Sequence, residues 1–281
     1  MLRSQSGLRL LSANDLPEVL ELLASAPVQN VFVEYRARLT RLEPRWLGGE
    51  VWGWFRDDRL TSICHSAANL VPVLGDAEAL LGYAARALRK NRSCSTIVGP
   101  QDQVAVLWGA LENRWDAPRE LRLAQPHLEI SEPAMVAPDP LVRRSERADV
   151  EALYPSCVAM YTEEVGISPE WDGGRDLYRA RVAQLVSRGW SFARYDEGRV
   201  VFKAEVACAT PYACQVQGVY VPPERRGEGL AAAGVAAVVE IARREIAPVV
   251  SLYVNEHNAA ARAAYARVGF VQTGTFSTVM F

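Results

Sequence analysis

Lysine is almost missing from this chain: of 31 basic side chains only Lys90 and Lys203 are lysine, which leaves 31 − 2 = 29 arginines. That imbalance reads as compositional bias. Histidine is scarce too, and His65, His127 and His257 have no metal-ligand spacing to one another or to a cysteine. The five cysteines, Cys64, Cys94, Cys157, Cys208 and Cys214, include no C-x-x-C pair; an odd, dispersed set argues for reduced thiols, against a disulfide framework or a zinc site. A net charge of −2 offers no basic field for nucleic acid, and no run of like charge makes a tail. Long apolar runs are lacking as well. The uncharged stretch at 229–239 is far too short to span a bilayer, and the apolar segment at 8–11 is flanked by polar residues, so it is no signal-peptide core. These absences lead one to expect a cytoplasmic protein without membrane or nucleic-acid partners.

At 281 residues the chain is long enough for two domains, each with its own core. Residues 131–140, SEPAMVAPDP, carry three prolines and two acids without periodicity, which predicts an extended linker between domains at 1–130 and 141–281. The second domain predicts a short strand at 141–144, a helix start bracketed by Glu146 and Asp149, and helices over 150–161 and 174–188. Strands follow at 190–195, 199–208 and 214–221. With what comes after, the order is β-α-α-β-β-β-α-β-α-β. The first domain repeats this order weakly: strand 8–11, helix 13–24, a hairpin of 51–56 and 60–67 around Asp57 and Asp58, strand 70–74, helix 77–90, strand 95–98, helix 101–111 and strand 121–130.

One string reports chemistry. Residues 219–231 read VYVPPERRGEGLA, a β-rich run, two prolines, a basic pair and two glycines before an alanine-rich helix. Arg226, Gly229 and Ala231 fit R-x-x-G-x-A at a strand-to-helix junction, where backbone amides and the positive helix end converge on an anion such as a phosphate. A Walker loop needs Lys and Ser or Thr after its last glycine, where this chain has Leu230 and Ala231. A dinucleotide fingerprint needs a third glycine where Ala232 stands. Further on, residues 249–270 read VVSLYVNEHNAAARAAYARVGF: an apolar strand, then Asn258 as a helix N-cap, alanines that favour helix, and Gly269 where a left-handed C-cap belongs. Ala261 and Tyr265 are four apart and share a helix face.

Together the two segments closely resemble the phosphate loop and second cofactor motif of the GNAT superfamily of acyl-CoA-dependent N-acyltransferases. Arg226, Gly227, Gly229 and Ala231 carry the first match, and Asn258, Ala261, Tyr265, Gly269 and Phe270 the second. The resemblance implies an α/β (α+β) fold of two GNAT-like domains, each a mixed, mostly antiparallel sheet flanked by helices. The first would be degenerate, because VLGDAE at 73–78 has one glycine, no preceding arginine and two acids that would repel a pyrophosphate. The second would be the catalytic domain.

The activity implied is transfer of an acetyl group from acetyl-CoA, or of another acyl group from its CoA ester, to a primary amine by direct attack in a ternary complex. The acceptor would be a small molecule or a protein, and the enzyme a monomer or homodimer. The backbone of Val219, Tyr220 and Val221 would hold the pantetheine arm and polarise the thioester, with the pyrophosphate on Arg226, Gly227, Glu228, Gly229, Leu230 and Ala231, and with Asn258, Ala261 and Tyr265 near the thiol. Tyrosine, with an ordinary pKa of about 10 against about 8.5 for a thiol, can protonate the leaving thiolate, so Tyr265 reads as the acid or as a packing residue. Glu205 reads as the general base or as a solvated strand carboxylate, and Glu163 with Glu164 as an acceptor site or a solvated helix end. Another class of reading is an acyl-CoA-binding regulatory module without turnover; a peptide-binding scaffold would leave the RRGEGLA loop unexplained.

Overall fold

Alternating apolar positions and turn chemistry lay out the first half of the chain in a computed structural model that describes residues 7–281. It opens with β1 (Gly7–Leu10), α1 (Leu16–Leu23), α2 (Val31–Thr40) and the short α3 (Pro44–Leu47). β2 (Glu50–Arg56) and β3 (Arg59–Ser66) then pair as a hairpin. Asp57 and Asp58 both adopt positive φ, 48° and 62°, as a two-residue type I′ turn requires. β4 (Asn69–Val73), α4 (Ala77–Ala87), β5 (Thr96–Pro100), α5 (Gln101–Gly109) and β6 (Glu120–Ile130) complete the pattern. α2 and α3 fall in the stretch for which the sequence offered no element.

The same order recurs in the second half: β7 (Arg143–Arg144), α6 (Val150–Val165), α7 (Arg175–Ser187), β8 (Ser191–Asp196), β9 (Arg199–Ala209), β10 (Ala213–Tyr220), α8 (Leu230–Glu245), β11 (Val249–Tyr253) and α9 (Ala259–Val268), with β12 (Val271–Met280) last. Here too a two-residue turn with positive φ, Glu197 at 48° and Gly198 at 78°, joins the first two long strands. Among the described residues no helix is long and apolar enough to cross a membrane.

Two compact units result. The first comprises the described residues up to 127 together with 253–257 and 272–281, and the second residues 128–252 and 258–271. Within the first, the strands run in the order β1-β2-β3-β4-β5-β12-β6. β1–β2, β2–β3, β3–β4 and β5–β12 pair antiparallel, and β4 pairs with β5 in parallel. Within the second, β7 to β11 lie in chain order, antiparallel except for the parallel pair of β10 with β11. A parallel pair needs a crossover, and α4 and α8 supply it.

These units depart from the sequence-based boundary in two places. β12 was expected to close the second domain, but its outer half, Phe276 to Met280, pairs with β5 in the first unit. Residues 131–140 have no regular element, yet they are fastened within the second unit rather than hanging as a linker. The amide of Met135 donates to the Val268 carbonyl at 2.8 Å and that of Asp139 to the Ala233 carbonyl at 2.9 Å. Ala134 N–H donates to Glu240 Oε1 at 2.9 Å, and Arg194 pairs with Asp139 at 2.8 Å. A proline-rich stretch has few donors of its own, and here three of them, the amides of Ala134, Met135 and Asp139, find acceptors.

In the first unit, Tyr83, Ile97 and Leu107 lie in one fully buried cluster and Val19, Leu23 and Ile63 in another. In the second, α8 lays Val235, Val238, Val239 and Ala242 on the sheet. Gly234 lets the helix come close, since a Cβ there would stand 2.6 Å from the ring of fully buried Phe202. Gly234→Ala should therefore cost about 1–3 kcal/mol by overpacking, measured as the urea midpoint. Gly109→Ala, whose Cβ meets nothing within 4 Å, should leave that midpoint unchanged or raise it.

Candidate active site

In the second unit one central strand stops pairing part-way along its length. β10 pairs with β11 only through Ala213–Val249, Cys214–Val250 and Gln215–Ser251, so beyond Gln215 the two strands part. On its other side, the register of β10 with β9 breaks between Gln217 and Tyr220. Gly218 sits in that break with φ 60°. Its conformation disfavours a side chain, and so does space: a Cβ would lie 3.0 Å from the Met160 methyl, 3.1 Å from Lys203 Nζ and 3.3 Å from the Glu205 carboxyl carbon. The bulge releases backbone groups of Gly218 and Val219 from the β9 ladder.

The loop that follows is exposed over residues 226–229. Gly227 and Gly229 have φ of 85° and 82°, and a Cβ on either meets nothing within 4 Å. Backbone conformation, not crowding, is what glycine supplies here. Gly229 is the N-cap of α8 and provides no side-chain cap, and no acid lies in the first turn. Unsatisfied amides of a 16-residue helix therefore face outward with its positive end. The counterpart in the first unit is already filled. Asp76 caps α4 by accepting from the Ala79 amide at 3.0 Å, and Arg56 bridges Asp76 and Glu78.

Both loop arginines have carboxylate partners. Arg226 donates from Nε to the Val221 carbonyl at 3.0 Å and from Nη2 to the two Glu163 oxygens at 3.0 and 2.7 Å. Its guanidinium lies 5.9 Å from the Tyr220 ring centroid. Arg225 holds Asp196 and Glu228. Glu163, read as half of an acceptor site, is thus brought to the glycine loop ahead of α8.

Behind the bulge lies a buried polar cluster. Lys203 is fully buried and Glu205 is 7% exposed. Glu205 accepts from Lys203 Nζ at 3.1 Å on one oxygen and from Gln217 Nε2 at 2.8 Å on the other. Lys203 also lies close enough to Cys157 to feel its thiol, and the Cys157 backbone carbonyl accepts from the Tyr178 hydroxyl at 2.9 Å. Burial is the largest single influence and would lower the Lys203 pKa, but Glu205 and Cys157 together outweigh it and the ammonium titrates above its usual range. Burial pushes the Cys157 thiol up, opposed by Lys203. The reading of Glu205 as a solvated strand carboxylate is overturned. Lys203, Cys157 and the Gln217 side chain were missed. The signal was K-A-E: residues two apart in a strand share a face.

On α9, Asn258 Oδ1 accepts from the Ala261 amide at 3.1 Å, and Gly269 ends the helix at φ 108°. Ala261 is partly exposed. Tyr265 is buried, with its ring centroid 5.8 Å from that of Phe270. Burial, then the charge of Glu164, raises its pKa above the ordinary tyrosine range, so it is a neutral donor at pH 7.

The second unit is thus a mixed α/β domain in which a parallel strand pair parts beside a bulge, ahead of a glycine-bounded helix start. Residues 158–270 match the acetyltransferase (GNAT) family, and the chain carries a domain of that family, preceded by a match of residues 49–153 to the domain of unknown function DUF4081. No curated protein matches the chain. Among solved structures it is similar to an acetyltransferase of the GNAT family from Colwellia psychrerythraea (13% identity, 98% of this chain and 99% of that one, TM-score 0.58). It is also similar to a tandem GNAT protein from the clavulanic acid biosynthesis pathway (16%, 98% and 98%, TM-score 0.57) and to a GCN5-related N-acetyltransferase from Sphaerobacter thermophilus (16%, 96% and 93%, TM-score 0.59). At these identities the likeness is one of fold.

Lys203→Met should destabilise the protein by about 3–5 kcal/mol, because it leaves Glu205 buried without its cation. Lys203→Met combined with Glu205→Gln should recover part of that loss, giving a non-additive cycle by denaturant unfolding. Additive costs would show that the two groups are not coupled.

Proposed function

We propose that the second unit is an N-acyltransferase that moves an acetyl group from acetyl-CoA to a primary amine in a ternary complex. The observation that carries this reading is the parting of β10 from β11 beside the Gly218 bulge, next to an uncapped helix start at Gly229. Freed strand backbone suits an extended amide-bearing arm, and open amides with two left-handed glycines suit a pyrophosphate. Bound acyl-CoA would supply a thioester activated toward amines.

Residues of this chain then divide the work. Val219, Tyr220 and Val221 hold the arm through their backbone, and the amide of Val219 polarises the acyl carbonyl. Gly227, Glu228, Gly229, Leu230 and Ala231 present amides to phosphate. Arg226 joins them by leaving Glu163, an exchange that costs little because the pair is exposed on both sides. Asn258 fixes the start of α9 so that Ala261 and Tyr265 face the thiol, and Tyr265 donates the proton that the leaving sulfur needs. Glu205, whose carboxyl carbon comes within 3.3 Å of a Cβ placed on Gly218, takes the proton of the attacking ammonium directly or through water. Glu163 and Glu164 draw the cationic amine to the cleft.

A second reading has one observation in its favour. Both Glu205 oxygens already accept hydrogen bonds, as they would in a domain that binds acyl-CoA without turning it over. Calorimetric titration with acetyl-CoA beside a free-thiol release assay over a panel of amines separates the two: binding with amine-dependent release supports the enzyme, binding with none supports the module, and no binding sinks both. Tyr265→Phe should keep acetyl-CoA affinity and slow transfer about 100-fold; an unchanged rate removes Tyr265 as the acid. Gly229→Val should fold, since nothing crowds that Cβ, but at the cost of a strained backbone at the cap, and it should lose CoA binding. Undiminished affinity would take the pyrophosphate away from this loop.

A further inference from the structure

The first unit contains a recess whose lining includes none of the residues assigned above to acyl transfer. Its volume is about 330 Å³, at the low end for small-molecule sites. It lies at the C-terminal end of α4, away from Asp76, and within the reach of the connection from α4 to β5.

Its charge is one-sided. Arg86, Lys90 and Arg92 all line it, and Glu50 is the single carboxylate among the lining residues, a surplus of 3 − 1 = 2 positive charges. Glu50 is already shared: Oε2 accepts from Arg86 Nη2 and Trp52 Nε1, each at 2.8 Å, and Oε1 from Lys90 Nζ at 2.8 Å. Burial would raise its carboxyl, but the hydrogen bonds from Lys90, Trp52 and Arg86 prevail and hold it down at about 2. Arg92 is held for use rather than neutralised. Its Nη1 donates to the Cys94 carbonyl at 2.7 Å and its guanidinium stacks 4.2 Å from the Phe281 ring centroid. Its carboxylate partner, Asp116, is 3.9 Å away and 90% exposed. The Nε atoms of Arg86 and Arg92 are both buried with no hydrogen-bond partner among the described residues, a state that proteins usually avoid.

Trp52, Trp115, Leu70 and Cys94 give the remaining wall apolar surface, with the polar Ser66, Asn91 and Ser93 beside them. Guanidinium forks match planar carboxylates and phosphates, and indole faces match flat rings. We propose that this recess binds a small organic anion, a carboxylate or phosphate monoester carried on a flat apolar body, with the anionic group among Arg86, Lys90 and Arg92 and the body against Trp52 and Trp115.

Titration of the full chain with phenyl phosphate and with phenylacetate, followed by tryptophan fluorescence and calorimetry at fixed ionic strength, tests this, with phenethylamine as the cationic control. One of the two anions should saturate at millimolar concentration or below, the tighter one naming the anionic group, and phenethylamine should not bind. Lys90→Gln, at a side chain 68% exposed and so tolerated by the fold, should weaken that binding about tenfold, as should Arg92→Gln. No saturation by either anion, equal binding of the amine, or unchanged affinity in both folded variants would overturn the proposal. Acetyl-CoA titration of the same samples reads the acyltransferase site separately.

Discussion

A β-strand hydrogen-bonded on both sides has no backbone left with which to hold anything else. β10 must therefore leave both of its ladders, and it does so where Gly218 takes a left-handed conformation that a side chain would resist. The surroundings enforce the same choice, because Met160, Lys203 and Glu205 crowd the space a Cβ would need. From this one break follow the free amides of the cleft, the closeness of the buried Lys203–Glu205 pair to it, and the course of the chain into the glycine loop ahead of α8.

The two units show how one layout is turned to different ends by helix starts. Each has a type I′ hairpin, a parallel strand pair and a crossover helix. In the second unit, the crossover helix begins at a bare glycine, with no side-chain cap and no acid in its first turn. In the first, Asp76 and Glu78 occupy the equivalent position and Arg56 neutralises them. The first unit instead gathers its cations at the far end of the same helix, where Arg86, Lys90 and Arg92 outnumber Glu50.

Much of this was legible in the sequence because the signals are local. Turn residues Asp57 and Asp58, the N-cap Asn258, the C-cap Gly269 and the loop glycines Gly227 and Gly229 act on their own backbones, so sequence spacing carries them. What escaped depends on residues far apart in the chain. Lys203 looked like stray composition, yet it is fully buried because Glu205 and Cys157 meet it there. The partnership of Arg226 with Glu163 spans 63 positions, and residues 131–140, which have a linker's composition, dock on α8 and α9 through their few remaining amides. No periodicity marks such long-range closures.

The position of β12 bears on how such a chain can be synthesised and divided. The N-terminal unit cannot finish its sheet with β5 and β12 until the ribosome has made residues 276–280, so it must wait, with one flank of β5 unpaired, while the whole second unit emerges and folds. A cut at the compositional boundary would sever β5 from β12, its partner in the first unit. The two units, though separately cored, are covalently interleaved and would be inherited, expressed and degraded as one.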